Sequence, residues 1–171
     1  SEAVAMLVKV LEDTTQEPMV RHEAAEALGA IALSETISVL EKFKSDPIIE
    51  VAETCELALE RIKWLQSPES AKVSLKSPYN SVDPAPPATS TNVTELKQIL
   101  LDENASLFER YRAMFSLRNI QSKEAIEALG AGLKCGSALF RHEIAFVMGQ
   151  LQDKEGVPFL KQSLEDTMEN E

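Results

Sequence analysis

The chain repeats itself with a period near thirty residues, and that periodicity leaves few folds open. Residues 18–29, Pro-Met-Val-Arg-His-Glu-Ala-Ala-Glu-Ala-Leu-Gly, align with residues 47–58, Pro-Ile-Ile-Glu-Val-Ala-Glu-Thr-Cys-Glu-Leu-Ala. Residues 110–120 align in the same way with residues 141–151. Within these windows apolar residues recur at steps of three and four, as at Val20, Ala24, Ala27, Leu28 and Ile31, and again at Ala113, Leu117 and Ile120. That is the spacing of one buried helical face. Pro18 and Pro47 stand near the helix starts, where a missing N–H does little harm. Asp46 and Ser137 are the expected N-caps. A shorter helix is expected ahead of each long one, at 3–12, 35–44, 93–101, 123–133 and 155–166. Two short helices per thirty-residue unit predict an all-α chain of HEAT-like repeats stacked as an α-solenoid.

One stretch breaks the pattern. Residues 66–92 hold Pro68, Pro78, Pro84, Pro86 and Pro87 with a Thr/Ser run, and proline at that density stops a helix. The chain therefore reads as a repeat block at 1–65, a Pro/Ser-rich linker at 66–92 and a second repeat block at 93–171. A linker longer than most internal connections is expected to be functional or mobile.

Composition narrows the function. A net charge of −11 argues against nucleic acid as a partner, because phosphate binding needs a Lys/Arg surplus. The same charge attracts a cationic partner or substrate. No run approaches the roughly 18 apolar residues of a membrane span, and no signal-peptide pattern opens the chain, so no membrane partner and a cytoplasmic location are expected. Cys55 and Cys135 sit in apolar helical patterns and are expected to be buried free thiols.

Both histidines of the chain, His22 and His142, stand in the same setting: Arg21-His22-Glu23 and Arg141-His142-Glu143. Both fall in the first turn of a second helix, so equivalent positions of a solenoid are expected to line one concave face. Imidazole with carboxylate is a ligand set of non-haem iron and also of zinc. Neighbouring helical residues point about 100° apart, so one couple cannot close a metal shell alone. The plainer reading makes each histidine an ordinary repeat residue. Against it stands the fact that the whole histidine content falls twice in one motif. Arg21 and Arg141 are expected to form salt bridges or bind helix carbonyls between repeats, and Gly29 and Gly149 to mark close packing of helices. Met19, Met114 and Met148 are expected in the core. Glu26, four residues after His22, reads as a solvated glutamate before it reads as a partner of the ring.

A longer-range symmetry bears on how much of a parent protein is present. Leu11-Glu-Asp-Thr14 recurs as Leu164-Glu-Asp-Thr167. After the first copy comes an Arg-His-Glu, and the second copy runs out before one. A complete parent is expected to carry four His-Glu motifs, of which this chain keeps the middle two.

Three segments carry a family resemblance: residues 18–31 around Arg21-His22-Glu23, residues 81–88 (Ser-Val-Asp-Pro-Ala-Pro-Pro-Ala), and residues 107–119 continuing into 137–143. Together they resemble the deoxyhypusine hydroxylase (deoxyhypusine monooxygenase) family over nearly the whole chain. The resemblance implies eight HEAT-like repeats in two halves and a centre of two Fe(2+) ions per complete protein. It also implies dioxygen as co-substrate and hydroxylation of a deoxyhypusine side chain to hypusine on translation initiation factor 5A. It matches His22 and Glu23 to the second motif and His142 and Glu143 to the third, making all four metal ligands. Glu143 is also the residue that would steer the cationic substrate, with Glu23 the firmer ligand. An isolated chain lacking the first and fourth motifs is expected to be inactive or nearly so. Two other readings stand beside this one: a HEAT-repeat protein-interaction scaffold without chemistry, and a lyase-type HEAT protein holding a tetrapyrrole-like ligand. Neither needs the doubled Arg-His-Glu or the proline linker.

Overall fold

The computed structural model describes residues 1–73 and 77–169. Its described residues form α-helices and short 3-10 turns: α1 (Glu2–Glu12), α2 (Pro18–Ile31), α3 (Ile37–Phe43), α4 (Ile49–Leu65), α5 (Val93–Leu101), α6 (Leu107–Ile120), α7 (Lys123–Gly132), α8 (Ala138–Leu151) and α9 (Val157–Glu165). Short and long helices alternate, as the repeat pattern predicts. The chain divides into two compact units, Ser1–Pro86 and Pro87–Glu171. No helix among the described residues is long and apolar enough to cross a membrane.

Local chemistry explains most helix ends. Pro18 begins α2 in its first turn. Ser106, Ser122 and Ser137 each accept a backbone N–H three residues on, capping α6, α7 and α8. Asn92 caps α5 by accepting from Thr94 and Glu95. Helices α2, α6 and α8 all end on a left-handed residue, Ala32, Gln121 and Gln152, whose N–H closes back on the carbonyl four residues earlier. The helices expected from residues 35 and 155 start later, because 3-10 turns at Ser34–Thr36 and Lys154–Gly156 lead into them. Asp46 is not the cap of α4. The cap position is Ile48, and Asp46 instead accepts the Ile48 N–H at 2.9 Å as an Asx turn before the helix.

In the first unit, Leu11, Ala25, Leu28, Leu40, Val51, Cys55 and Ile62 are buried in one cluster. Each fully buried Leu or Ile contributes about 1.5–3 kcal/mol. Burial also drives the Cys55 thiol up to about 12, which makes it an inert core residue. Cys135 is only half-buried. In the second unit Leu96, Leu100, Ala113, Leu117, Leu129, Phe140 and Ile144 are buried, and Tyr111 meets Phe140 edge-on with ring centroids 5.8 Å apart. Met114 and Met148 are core residues, whereas Met19 is 49% exposed.

The proline-rich segment is anchored where it is described. Asp83 O accepts from Arg61 Nε at 3.3 Å in the first unit. In the second, Ala88 donates its N–H to Arg112 O at 3.2 Å and accepts from Ser116 Oγ at 3.0 Å. Residues 74–76 of the expected linker lie outside the described residues.

The two equivalent glycines differ. A Cβ on Gly29 would come within 2.7 Å of Ala58 Cβ and 3.0 Å of Ala58 Cα, so α2 and α4 touch there almost backbone to backbone. Among the described residues, a Cβ on Gly149 would meet nothing within 4 Å. Gly29→Ala is expected to lower the stability of this chain by about 1–3 kcal/mol through overpacking. Gly149→Ala is expected to raise it by up to about 1 kcal/mol through helix propensity. Denaturant midpoints of the two variants check this; the opposite order would contradict the packing.

A candidate metal centre around His22

The first turns of α2 bring Arg21, His22, Glu23 and Glu26 to one end of the α2–α4 interface. Arg21 turns inward. Its Nε donates to Leu11 O at 3.0 Å, and its Nη2 pairs with Asp46 Oδ2 at 2.6 Å. Both side chains of the pair are 3% exposed. The guanidinium also lies 5.5 Å from the centre of the Phe43 ring. One arginine thus ties α1, α2 and the turn before α4 together, which is the structural role expected of it. Arg110 makes the same bond in the second unit, Nε to Leu100 O at 3.0 Å. Arg141 takes a different partner, with Nη2 and Nε reaching Glu169 at 2.6 and 2.7 Å.

His22 is buried. Its Nδ1 lies 2.6 Å from Thr54 Oγ1 on α4. Its Nε2 lies 3.8 Å from Glu23 Oε1 and 3.7 Å from Glu26 Oε2. Glu23 is exposed and Glu26 partly buried. Burial, and then the charge of Glu23, raise the Glu26 carboxyl above the usual glutamate value. A cation set between these groups would favour the ionised form again. Glu26 therefore stands beside the ring with its side chain still 39% exposed to solvent. Among the described residues, no group of three His, Cys, Asp or Glu is arranged to hold an ion by itself. What the chain supplies here is one imidazole nitrogen flanked by two carboxylates at 3.7 and 3.8 Å.

The second couple lies in the other unit, in the first turns of α8, whose start is set by the Ser137 cap. His142 is exposed and Glu143 half-buried. The two couples thus lie in separate units, with His22 buried and His142 exposed among the described residues.

Two contributors do not show their roles in the sequence. Thr54 reaches His22 from thirty-two residues away, one repeat plus about one helical turn, and nothing in Glu-Thr-Cys marks it. Asp46 carries a turn-residue signature that conceals its pairing with Arg21.

Comparison with known proteins agrees with this architecture. A family model described as HEAT repeats matches residues 1–60, and one described as PBS lyase HEAT-like repeat matches residues 109–135 and 140–166. The deoxyhypusine hydroxylase of Drosophila melanogaster is 59% identical, the match covering 100% of this chain and 56% of that protein. That of Homo sapiens is 56% identical, covering 99% and 56%. The structure of human deoxyhypusine hydroxylase in complex with glycerol superposes with a TM-score of 0.92 at 56% identity, covering 99% of this chain and 58% of that one. The chain thus spans about half the length of the curated relatives it matches.

The Arg21–Asp46 pair makes the site's support sensitive to acid. Burial raises the Asp46 carboxyl, but the hydrogen bonds from Arg21 and the Ile48 N–H, with the Arg21 charge, bring it below its ordinary value. The unfolded chain therefore binds a proton that the folded chain resists. The resulting stabilisation is present above the ordinary aspartate pKa of about 3.9 and is lost as pH falls through the lower folded value. Arg21→Met is expected to cost about 3–5 kcal/mol by stranding a buried carboxylate, and to flatten the stability–pH slope below about pH 4. Denaturant titrations between neutral and acid pH measure both. An unchanged acid slope would show that Asp46 is not held by Arg21.

Proposed function

Because the chain belongs to the deoxyhypusine hydroxylase family, we propose that it is part of a deoxyhypusine monooxygenase. That enzyme hydroxylates a deoxyhypusine side chain to hypusine on translation initiation factor 5A, with iron and dioxygen. The observation that carries this reading is the position of His22 Nε2 beside the carboxylates of Glu23 and Glu26. Neutral imidazole with carboxylate oxygens fits iron by donor type, so the residues present suit the group that the reading requires. His22 and Glu23 would serve one ion and His142 and Glu143 the other, with the remaining ligands from parts of the protein beyond these 171 residues. Two bound Fe(2+) ions would supply the activation of dioxygen and insertion of one oxygen atom into a carbon–hydrogen bond.

The protein's own contribution is placement and charge. His22 sits in a fixed ring orientation between α2 and α4, so its donor nitrogen does not have to be ordered on binding. Glu26 keeps a partly buried carboxylate beside it, a group that favours a neighbouring cation. Glu143 is the residue proposed to hold the ammonium end of the substrate arm, and the net charge of −11 draws such a cationic side chain in. A cytoplasmic setting fits a protein-modifying enzyme of this kind.

In the complete protein, about two irons per molecule are expected, with His22→Ala and His142→Ala each losing iron and activity. The 171-residue chain alone is expected to turn over deoxyhypusine at a small fraction of the complete protein's rate. Metal analysis and hydroxylation assays on both lengths check this. An iron-free complete protein, or full iron retention in both histidine variants, would refute the reading and favour a protein-binding scaffold.

A further inference from the structure

Thr54 is buried at 4% exposure in the first turns of α4, and its hydroxyl stands between two polar groups. It has one hydrogen to give and lone pairs to accept with. Oγ1 lies 2.7 Å from Glu50 O, four residues back on the same helix. A carbonyl oxygen can only accept, so the hydroxyl hydrogen goes there, the back-bond that threonine commonly makes within a helix. Oγ1 also lies 2.6 Å from His22 Nδ1. With its hydrogen committed to Glu50, the oxygen meets the ring with a lone pair, and Nδ1 must carry the hydrogen of that contact. A neutral imidazole protonated on Nδ1 presents its lone pair at Nε2. That is the nitrogen facing Glu23 and Glu26.

The opposite assignment has a definite cost. If the threonine donated to Nδ1, the Glu50 contact would join two acceptors at 2.7 Å. A hydrogen bond next to a buried side chain would be lost, leaving two lone pairs facing each other. The isolated ring in water prefers its hydrogen on Nε2, so the fold works against the ring's own preference. Because Thr54 comes from α4 and His22 from α2, the packing of these two helices fixes the ring orientation and the tautomer together.

We propose that Thr54 is a positioning residue that holds His22 as the Nδ1–H tautomer, so that Nε2 points its lone pair at the site between Glu23 and Glu26. That this lone pair serves a metal ion rests on the iron-site reading above. The hold on the tautomer does not.

The test uses the metal-free complete protein with 15N-labelled histidine, at a pH well above the ordinary imidazole value of about 6.5. The His22 signals are identified by their loss in His22→Gln. Long-range 1H–15N correlation separates a protonated ring nitrogen from one bearing a lone pair. In the parent protein and in Thr54→Ser, which keeps the hydroxyl, the hydrogen is expected on Nδ1. In Thr54→Val, which keeps the shape and loses the hydroxyl, it is expected to move to Nε2. A hydrogen on Nε2 in the parent, or one that stays on Nδ1 in Thr54→Val, overturns the proposal. Ferrous iron titrated into the same proteins provides the other readout. Thr54→Val is expected to bind about 10–100-fold more weakly, and Thr54→Ser close to the parent. A tautomer that switches while iron affinity stays equal would overturn the metal-positioning part. Iron bound by none of the proteins would overturn the iron-site reading, while the spectra still decide the role of Thr54.

Discussion

The close approach of α2 to α4 at Gly29 and Ala58 sets the register on which the His22 cluster depends. With a glycine at the crossing, the two backbones come near enough for side chains along the same seam to meet. Arg61 Nη1 reaches Gly29 O at 2.8 Å at one end of the seam, and Thr54 reaches His22 at 2.6 Å at the other. Both contacts join residues thirty-two apart, so they share one register. A shift of α4 along α2 by a single residue would rotate Thr54 away from the ring by about 100° and break both contacts together. The chemistry of His22 is thus a consequence of interhelical packing and cannot be read from α2 alone.

Arginine holds the repeats in that register. Arg21 and Arg110 each send Nε ten residues back to the last turn of the preceding helix. The carbonyls there have no partner within their own helix. A buried guanidinium is costly unless paired, and Arg21 meets that requirement with Asp46, Leu11 O and the Phe43 ring. In the motif on α2, arginine, histidine and glutamate therefore have separate tasks. Arg21 fastens the helix to its own repeat, His22 reaches across to Thr54 on α4, and Glu23 faces outward.

How much of this is legible in the sequence follows from which forces act locally. Helix periodicity, Pro18 at a first turn and the Ser137 cap are properties of a few consecutive residues, and they place the helices to within a few positions. The pairing of Gly29 with Ala58 matches the twenty-nine-residue alignment of α2 with α4, so the repeat itself carries that contact. Asp46 misleads because a turn residue before a helix looks like a cap whether its carboxylate bonds the helix or an arginine twenty-five residues away. Gly149 resembles Gly29 in sequence, but whether a glycine packs depends on a neighbouring helix and not on its own segment. The roles of Thr54 and Glu26 are hidden for the same reason: they emerge only when two helices, or two turns of one helix, are set side by side. The His-Glu couples stand out because histidine is rare in the chain and repeats in one context.

On the proposed reading, a repeat architecture, an imidazole oriented across a helix seam and two flanking carboxylates would together make part of an iron site whose other ligands come from the rest of a longer protein. Everything functional in this picture turns on where an ion sits. Diffraction from crystals of the complete, iron-loaded protein at the iron absorption edge would locate the metal directly. An anomalous peak is expected at bonding distance from His22 Nε2, on the side of Glu23, with another beside His142. Iron peaks remote from both histidines would contradict the site.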